Sequence, residues 1–191
     1  MLSSLWFSFV TISNNHILNA GIKWYQETKN ILTKNSIDYA WYIKTNSLSD
    51  NNVILKNIRG IDIAIHWYNF YNRFSWDIDI YCDILSGYKN DKYINIVSAH
   101  WWNEYENYHN KLQENIWKKL IDCGADVILW HHPHVIQDIQ WYKNKPIVYS
   151  LGNFLFDQYF LEETKKWIYV LVDINMSWNI QLRTGEIKAT P

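Results

Sequence analysis

Residues 126–134 constrain this chain more than any other segment. Asp126-Val127-Ile128-Leu129-Trp130 is a short apolar run with the character of a buried strand, and it delivers His131-His132-Pro133-His134 at its end. A buried strand that ends in three imidazoles fits an open α/β sheet, where sites collect beyond the carboxyl ends of the strands. Two other apolar runs end in the same way. Residues 93–99 lead into His100, and residues 7–12 lead into Asn14-Asn15-His16. Of the 7 histidines in the chain, His16, His100, His131, His132 and His134 fall in these three places. One histidine at a strand end is usually a structural hydrogen-bonder; five in three such clusters point to a metal site.

Imidazole together with amide oxygen suits a borderline divalent ion such as Zn²⁺, Mn²⁺ or Fe²⁺. The two-residue spacing of His132 and His134 predicts an extended segment with both rings on one side. Pro133 between them stiffens that segment.

Around these clusters the pattern alternates. Leu18, Ile22, Tyr25 and Leu32, with Thr28 in the same stripe, predict a helix over 17–34. Residues 37–42 read as a strand, and 52–58 and 61–67 as paired strands around Arg59-Gly60. Residues 78–85 fit either a strand or a helix. Tyr105, Tyr108, Leu112, Ile116 and Leu120 mark a helix that ends near Cys123-Gly124. Residues 135–142 and 146–151 read as strands around Lys143-Asn144, and 167–175 with 179–183 as a closing hairpin. Strand–helix alternation followed by adjacent strands predicts an α/β layered sandwich with a mixed sheet.

The 191 residues, 48% of them hydrophobic, suffice for one domain over 1–191 and exclude a disordered or fibrous chain. A net charge of −1 gives no electrostatic basis for binding nucleic acid. Cys82 and Cys123 fit neither a disulfide framework nor a zinc ribbon and read as buried thiols. The apolar stretch 5–12 is too short to span a bilayer or to act as a signal peptide, so the chain as written reads as soluble.

Four segments carry a resemblance. Asn14-Asn15-His16-Ile17-Leu18-Asn19-Ala20-Gly21 resembles the "ANNHxxDxG" segment of the bacterial capsule synthesis (CapA, poly-γ-glutamate synthesis) family. His100-Trp101-Trp102-Asn103-Glu104-Tyr105 resembles its "HWGxEY", and residues 122–135 resemble its "DAGADVVIGHHPHV". Residues 146–154, ending Ser150-Leu151-Gly152-Asn153-Phe154, resemble its "PIFYSLGNF". The order is the family's and the four segments span nearly the whole chain.

That family is a branch of the calcineurin-like metallophosphoesterases. The resemblance implies a four-layer fold, two mixed sheets flanked by helices, around a site for two divalent ions (Mn, Zn, Fe or Mg). It implies Asn15, His100, His132 and His134 as metal ligands and His16 as the acid that protonates a leaving oxygen. Asn14, Glu104, His131, Ser150 and Asn153 are placed behind the ligands or on the substrate side. The implied chemistry is hydrolysis, with two ions clamping a phosphoryl group and activating a water. The implied partners are a phosphoester or polymer substrate and a capsule-synthesis complex at the membrane. A protein that keeps the fold and binds polymer without hydrolysis is the alternative.

The chain departs from the family in two ways. Family members begin with a strand ending in "GD" and then an "NLE" segment, usually behind a membrane anchor that holds the protein outside the cytoplasm. Here only 13 residues precede Asn14. The expectation is a chain that lacks the first strand and some oxygen ligands, with weak or absent phosphatase activity. The second departure is 12 Trp against 6 Gly, where average usage gives about 13 Gly. Trp102 and Trp130 stand at motif glycines, and Trp6, Trp24, Trp41 and Trp67 at further expected glycines; Trp167 and Trp178 are weaker cases. A gene in which UGA encodes glycine accounts for the pattern. Made literally, Trp102 and Trp130 are expected to crowd His100 and His132, at about 1–3 kcal/mol per site.

Overall fold

The computed structural model describes residues 7–40, 53–69, 78–89, 92–100, 103–154, 156–158 and 160–188. The elements in chain order are β1 (Phe9–Thr11), α1 (Ile22–Lys34), β2 (Asp38–Ala40), β3 (Val53–Ile58), β4 (Ile61–Asn69), α2 (Ile78–Tyr88) and β5 (Ile94–His100). Then come α3 (Lys111–Cys123), β6 (Val127–His131), β7 (Ile139–Tyr142), β8 (Lys145–Val148), β9 (Lys166–Ile174) and β10 (Ile180–Lys188).

Six strands form one mixed sheet in the order β3-β4-β5-β6-β8-β7. The central β4, β5, β6 and β8 are parallel, and β3 and β7 run antiparallel at the edges. The edge hairpins turn where the sequence predicts. Arg59 and Gly60, at φ 52° and 86°, and Lys143 and Asn144, at 51° and 59°, have the positive φ values of the tight turns that match strand twist. Because the centre is parallel, its strands end on one edge. The register pairs Asn69 with His100 and His100 with His131, which fixes where a site can form.

Helices α2 and α3 cover one face of this sheet. Ile78, Tyr81, Cys82 and Leu85 are buried at helical spacing, which resolves the ambiguous segment as α2. They pack with Ile116, Trp117 and Leu120 of α3 onto Val97, Ala99, Ile128, Trp130 and Ile147. Helix α3 starts at Lys111, later than the apolar spacing suggests. Asn110 caps it, accepting from the Gln113 amide while the Gln113 side chain returns to the Asn110 N–H. Tyr105, at φ 64°, lies in the turns before it.

Two expectations are corrected by this layer. Cys82 and Cys123 form a disulfide joining α2 to α3, with Cα atoms 5.1 Å apart. Helix packing, which sequence spacing does not show, brings them together. Trp130 does not crowd the histidines: it is fully buried on the helical side, 5.1 Å from Trp117 and 5.9 Å from Tyr149 between ring centroids. Trp6, Trp41 and Trp102 lie outside the described residues; Trp24 is exposed and Trp67 buried.

Among the described residues the remaining strands form two separate pairs, parallel β1–β2 and the antiparallel β9–β10 hairpin. Helix α1 packs on the first pair through Tyr25 and Leu32, against Ile12 and Ile37. It begins at Ile22, later than predicted, because residues 14–20 form turns closed by Asn19 N–H to His16 O and Gly21 N–H to Leu18 O. The layered, mixed α/β architecture is the one expected. No helix among the described residues is long and apolar enough to cross a membrane.

Candidate metal site

Strand β6 delivers His131 and then the chain turns sharply. His132 and His134 have φ values of 107° and 62°, in the left-handed region that non-glycine residues rarely adopt. The segment is therefore bent, not extended as the spacing suggests. The bend brings the two rings together, 5.7 Å between centroids. Such conformations cost about 1–3 kcal/mol each and persist where surrounding contacts enforce them. One enforcing contact is visible: the Tyr105 N–H donates to the Pro133 carbonyl at 2.8 Å.

That bond also docks Glu104. Its Oε1 lies 3.8 Å from His134 Nε2 and 4.0 Å from His132 Nε2. One ligand atom from each of the three residues falls within 4.8 Å of the others. The resemblance places Glu104 behind the ligands or toward substrate; the geometry groups it with the two histidines. His132 is nearly inaccessible and Glu104 is half open, so the cluster faces solvent from one side.

A second group adjoins the first. The His100 and His132 rings are 4.8 Å apart. His100 Nε2 lies 2.9 Å from Asn15 Oδ1, and Asn15 Nδ2 lies 3.1 Å from His16 Nε2. The structure thus brings all four expected ligands and His16 into one region. Burial, reinforced by the neighbouring His132, His131, His134 and His16, holds His100 down at about 2. Burial alone holds His131 at about 4. Both rings are neutral at pH 7, with lone pairs that metal binding requires.

The remaining expected residues act at one remove. Asn153 Oδ1 lies 2.8 Å from His134 Nδ1. Asn14 Oδ1 accepts from the His16 N–H, shaping the loop. Ser150 is buried and its Oγ accepts from the Gly152 N–H. Four residues join the site without having been expected there. The Asn19 amide lies 2.8 Å from His16 Nδ1. Tyr105 and Phe156 stack on the His134 ring at 5.9 and 5.2 Å. Thr164, buried, takes an Asn153 N–H on its carbonyl. Asn19 and Tyr105 are legible as motif positions, whereas Phe156 and Thr164 carry no signal in the sequence.

The donor set fits a divalent ion. Two imidazole nitrogens and a carboxylate oxygen converge within 4.8 Å of one another, donor types that a divalent ion accepts. Zn²⁺, Mn²⁺ and Fe²⁺ all accept such donors.

Residues 1–158 match the profile of the family described as bacterial capsule synthesis protein PGA_cap. The capsule biosynthesis protein CapA of Bacillus anthracis is 32% identical over 170 residues, covering 80% of this chain and 41% of that protein. The PGA biosynthesis protein CapA of Bacillus subtilis (strain 168) is 28% identical over 203 residues, covering 100% of this chain and 52% of that protein. The chain thus spans about half the length of the curated relatives it matches. A hypothetical protein from Thermus thermophilus shares the fold, with a TM-score of 0.63 at 11% identity over 96% of this chain and 77% of the other.

Proposed function

The chain belongs to the bacterial capsule synthesis protein PGA_cap family, and from that premise we propose that it carries a metal-dependent, phosphoester-hydrolysing site serving capsule or poly-γ-glutamate biosynthesis. The observation that carries this reading is the convergence of Glu104 Oε1, His132 Nε2 and His134 Nε2 beside the Asn15–His100 contact. Glu104, His132 and His134 hold an ion, and Asn15 and His100 offer the adjoining pair of donors. A divalent ion bound there supplies Lewis-acid polarisation of a phosphoryl oxygen and lowers the pKa of a water.

The chain's own residues supply the proton. Asn15 presents Oδ1 to His100, so its Nδ2 faces His16 Nε2 and donates to it. The Asn19 amide nitrogen lies 2.8 Å from His16 Nδ1, so the ring is held between the side-chain amides of Asn15 and Asn19. His16 is exposed at the mouth of the site. Once protonated at Nε2 it donates to a leaving oxygen as a general acid. Tyr105 and Phe156 stack on His134 and keep that ring in place.

Calorimetric titration of Mn²⁺ and Zn²⁺ into the 191-residue chain tests the reading, alongside hydrolysis of p-nitrophenyl phosphate and its diester. The expected result is ion binding that weakens at least about tenfold in Glu104→Gln and His134→Ala, with any hydrolysis dependent on the ion. Binding of neither ion at millimolar concentration, or affinity indifferent to both substitutions, overturns it. Ion binding and retention of poly-γ-glutamate without hydrolysis of any phosphoester identifies a polymer-binding accessory instead.

A further inference from the structure

We propose that Asn153 is a positioning residue that fixes the His134 proton on Nδ1, leaving Nε2 as a lone-pair donor aimed at Glu104. The inference deepens the metal-site reading and rests on it only for its consequence, not for its geometry.

Asn153 is 8% exposed, so both ends of its amide need partners inside the protein. Its Nδ2 donates to the Thr164 carbonyl at 3.1 Å. A carbonyl can only accept, so this bond settles which end of the amide is nitrogen and turns Oδ1 toward His134, 2.8 Å from Nδ1. An amide oxygen can only accept as well, so His134 Nδ1 must donate. In the neutral ring the hydrogen is therefore on Nδ1, and Nε2 is the bare nitrogen. Nε2 is the atom 3.8 Å from Glu104 Oε1.

The carbonyl that orients Asn153 is itself fixed. Thr164 is 1% exposed, and its single hydroxyl hydrogen is shared between the carbonyls of Gln158, at 2.5 Å, and Leu161, at 2.8 Å. The backbone of Asn153 is held by its N–H to the Lys166 carbonyl at 3.3 Å. That approach is open because residue 152 is glycine. At φ 75°, a Cβ there would meet the Lys166 oxygen at 2.4 Å. The segment Ser150-Leu151-Gly152-Asn153 thus serves the site through one hydrogen bond to one ring nitrogen. A ligating histidine whose other nitrogen is held in this way has its tautomer and ring plane set before an ion arrives.

Long-range ¹H–¹⁵N correlation spectra of the labelled, metal-free 191-residue chain at pH 8 test this directly. The wild-type chain is expected to carry the His134 proton on Nδ1. Asn153→Leu, which removes the acceptor, is expected to move proton population to Nε2 and to weaken Zn²⁺ binding about 10–100-fold. Asn153→Asp keeps an acceptor at the same place and is expected to retain the Nδ1 proton. A wild-type proton on Nε2 overturns the inference whether or not any variant folds. So does an Asn153→Leu protein that melts like wild type with tautomer and affinity unchanged. Absence of Zn²⁺ binding alongside a persistent Nδ1 proton supports the inference while overturning the metal-site reading.

Discussion

His100 Nε2 and Asn15 Oδ1 are 2.9 Å apart although 85 residues separate them in the chain. The contact joins the turn after β1 to the end of β5, so it ties the β1–β2–α1 unit to the six-stranded sheet. The His100 ring is neutral and largely buried, and its partner is supplied from outside the sheet. A double-mutant cycle on Asn15→Ala and His100→Ala, followed by urea unfolding, is expected to give a coupling energy of about 0.5–3 kcal/mol. Strict additivity would mean that the two units are not energetically joined through this pair.

Much of this arrangement is legible in the sequence because strand ends are. Apolar runs locate β5 and β6, and parallel register then places His100 beside His131. What the sequence hides is what backbone bends and tertiary packing decide. The left-handed turns at His132 and His134 come from contacts such as Tyr105 N–H to Pro133 O, which no spacing rule contains. The same bond moves Glu104 in among the histidines. Trp130 occupies a motif glycine position, but strand pleat sends its side chain to the helical face, away from His131 and toward Trp117. Spacing alone starts α3 too early because aromatic residues at 105 and 108 fit the helical stripe, while the capping pair Asn110 and Gln113 decides the boundary.

Two positions with positive φ should respond in opposite directions to a change of side chain. Gly152→Ala puts a Cβ against the Lys166 carbonyl and is expected to cost at least about 2 kcal/mol. Trp178 has φ 61° in the turn between β9 and β10, a conformation that suits glycine and not a bulky residue. Trp178→Gly is expected to stabilise the chain by up to about 1 kcal/mol. Thermal melts of the two variants decide it, and a clear loss of stability in Trp178→Gly would count against the reading of that turn. A gain is what the chain would show if glycine were the residue for which the turn is shaped.

The disulfide closes a loop over a sequence separation of 41 between two helices that pack on the same face. Loop-closure entropy for that length is worth about 4 kcal/mol in the unfolded chain, and native disulfides commonly return about 2–4 kcal/mol. Unfolding in guanidinium with and without dithiothreitol should therefore separate the oxidised and reduced chains by that amount. Alkylation of the unreduced, denatured protein with iodoacetamide should modify neither Cys82 nor Cys123. Quantitative modification of both without reductant would show that the pair is not formed.

His66 makes the stability of the fold depend on pH. The ring, carried by β4, is fully buried beside Asn95 of β5; its Nε2 lies 3.0 Å from Asn95 Oδ1 and its Nδ1 3.5 Å from the Tyr68 hydroxyl. Burial lowers its pKa from 6.5 to about 4, against smaller opposing effects of the Asn95 hydrogen bond and the Asp126 charge. A folded-state value below the unfolded one means that the unfolded chain takes up the proton first. Stability is therefore full above pH about 6.5, falls as the pH drops toward 4, and levels off below it, by about 3 kcal/mol over the window. His131 and His100 are displaced in the same sense, so the diagnostic quantity is a difference between proteins. His66→Gln keeps an N–H for Asn95 and removes the titration. Urea unfolding between pH 4 and 7 is expected to show a shallower fall for this variant than for wild type. Equal slopes would mean that His66 is not protonated differently in the two states, and that the polar contact with Asn95 does not hold a neutral ring.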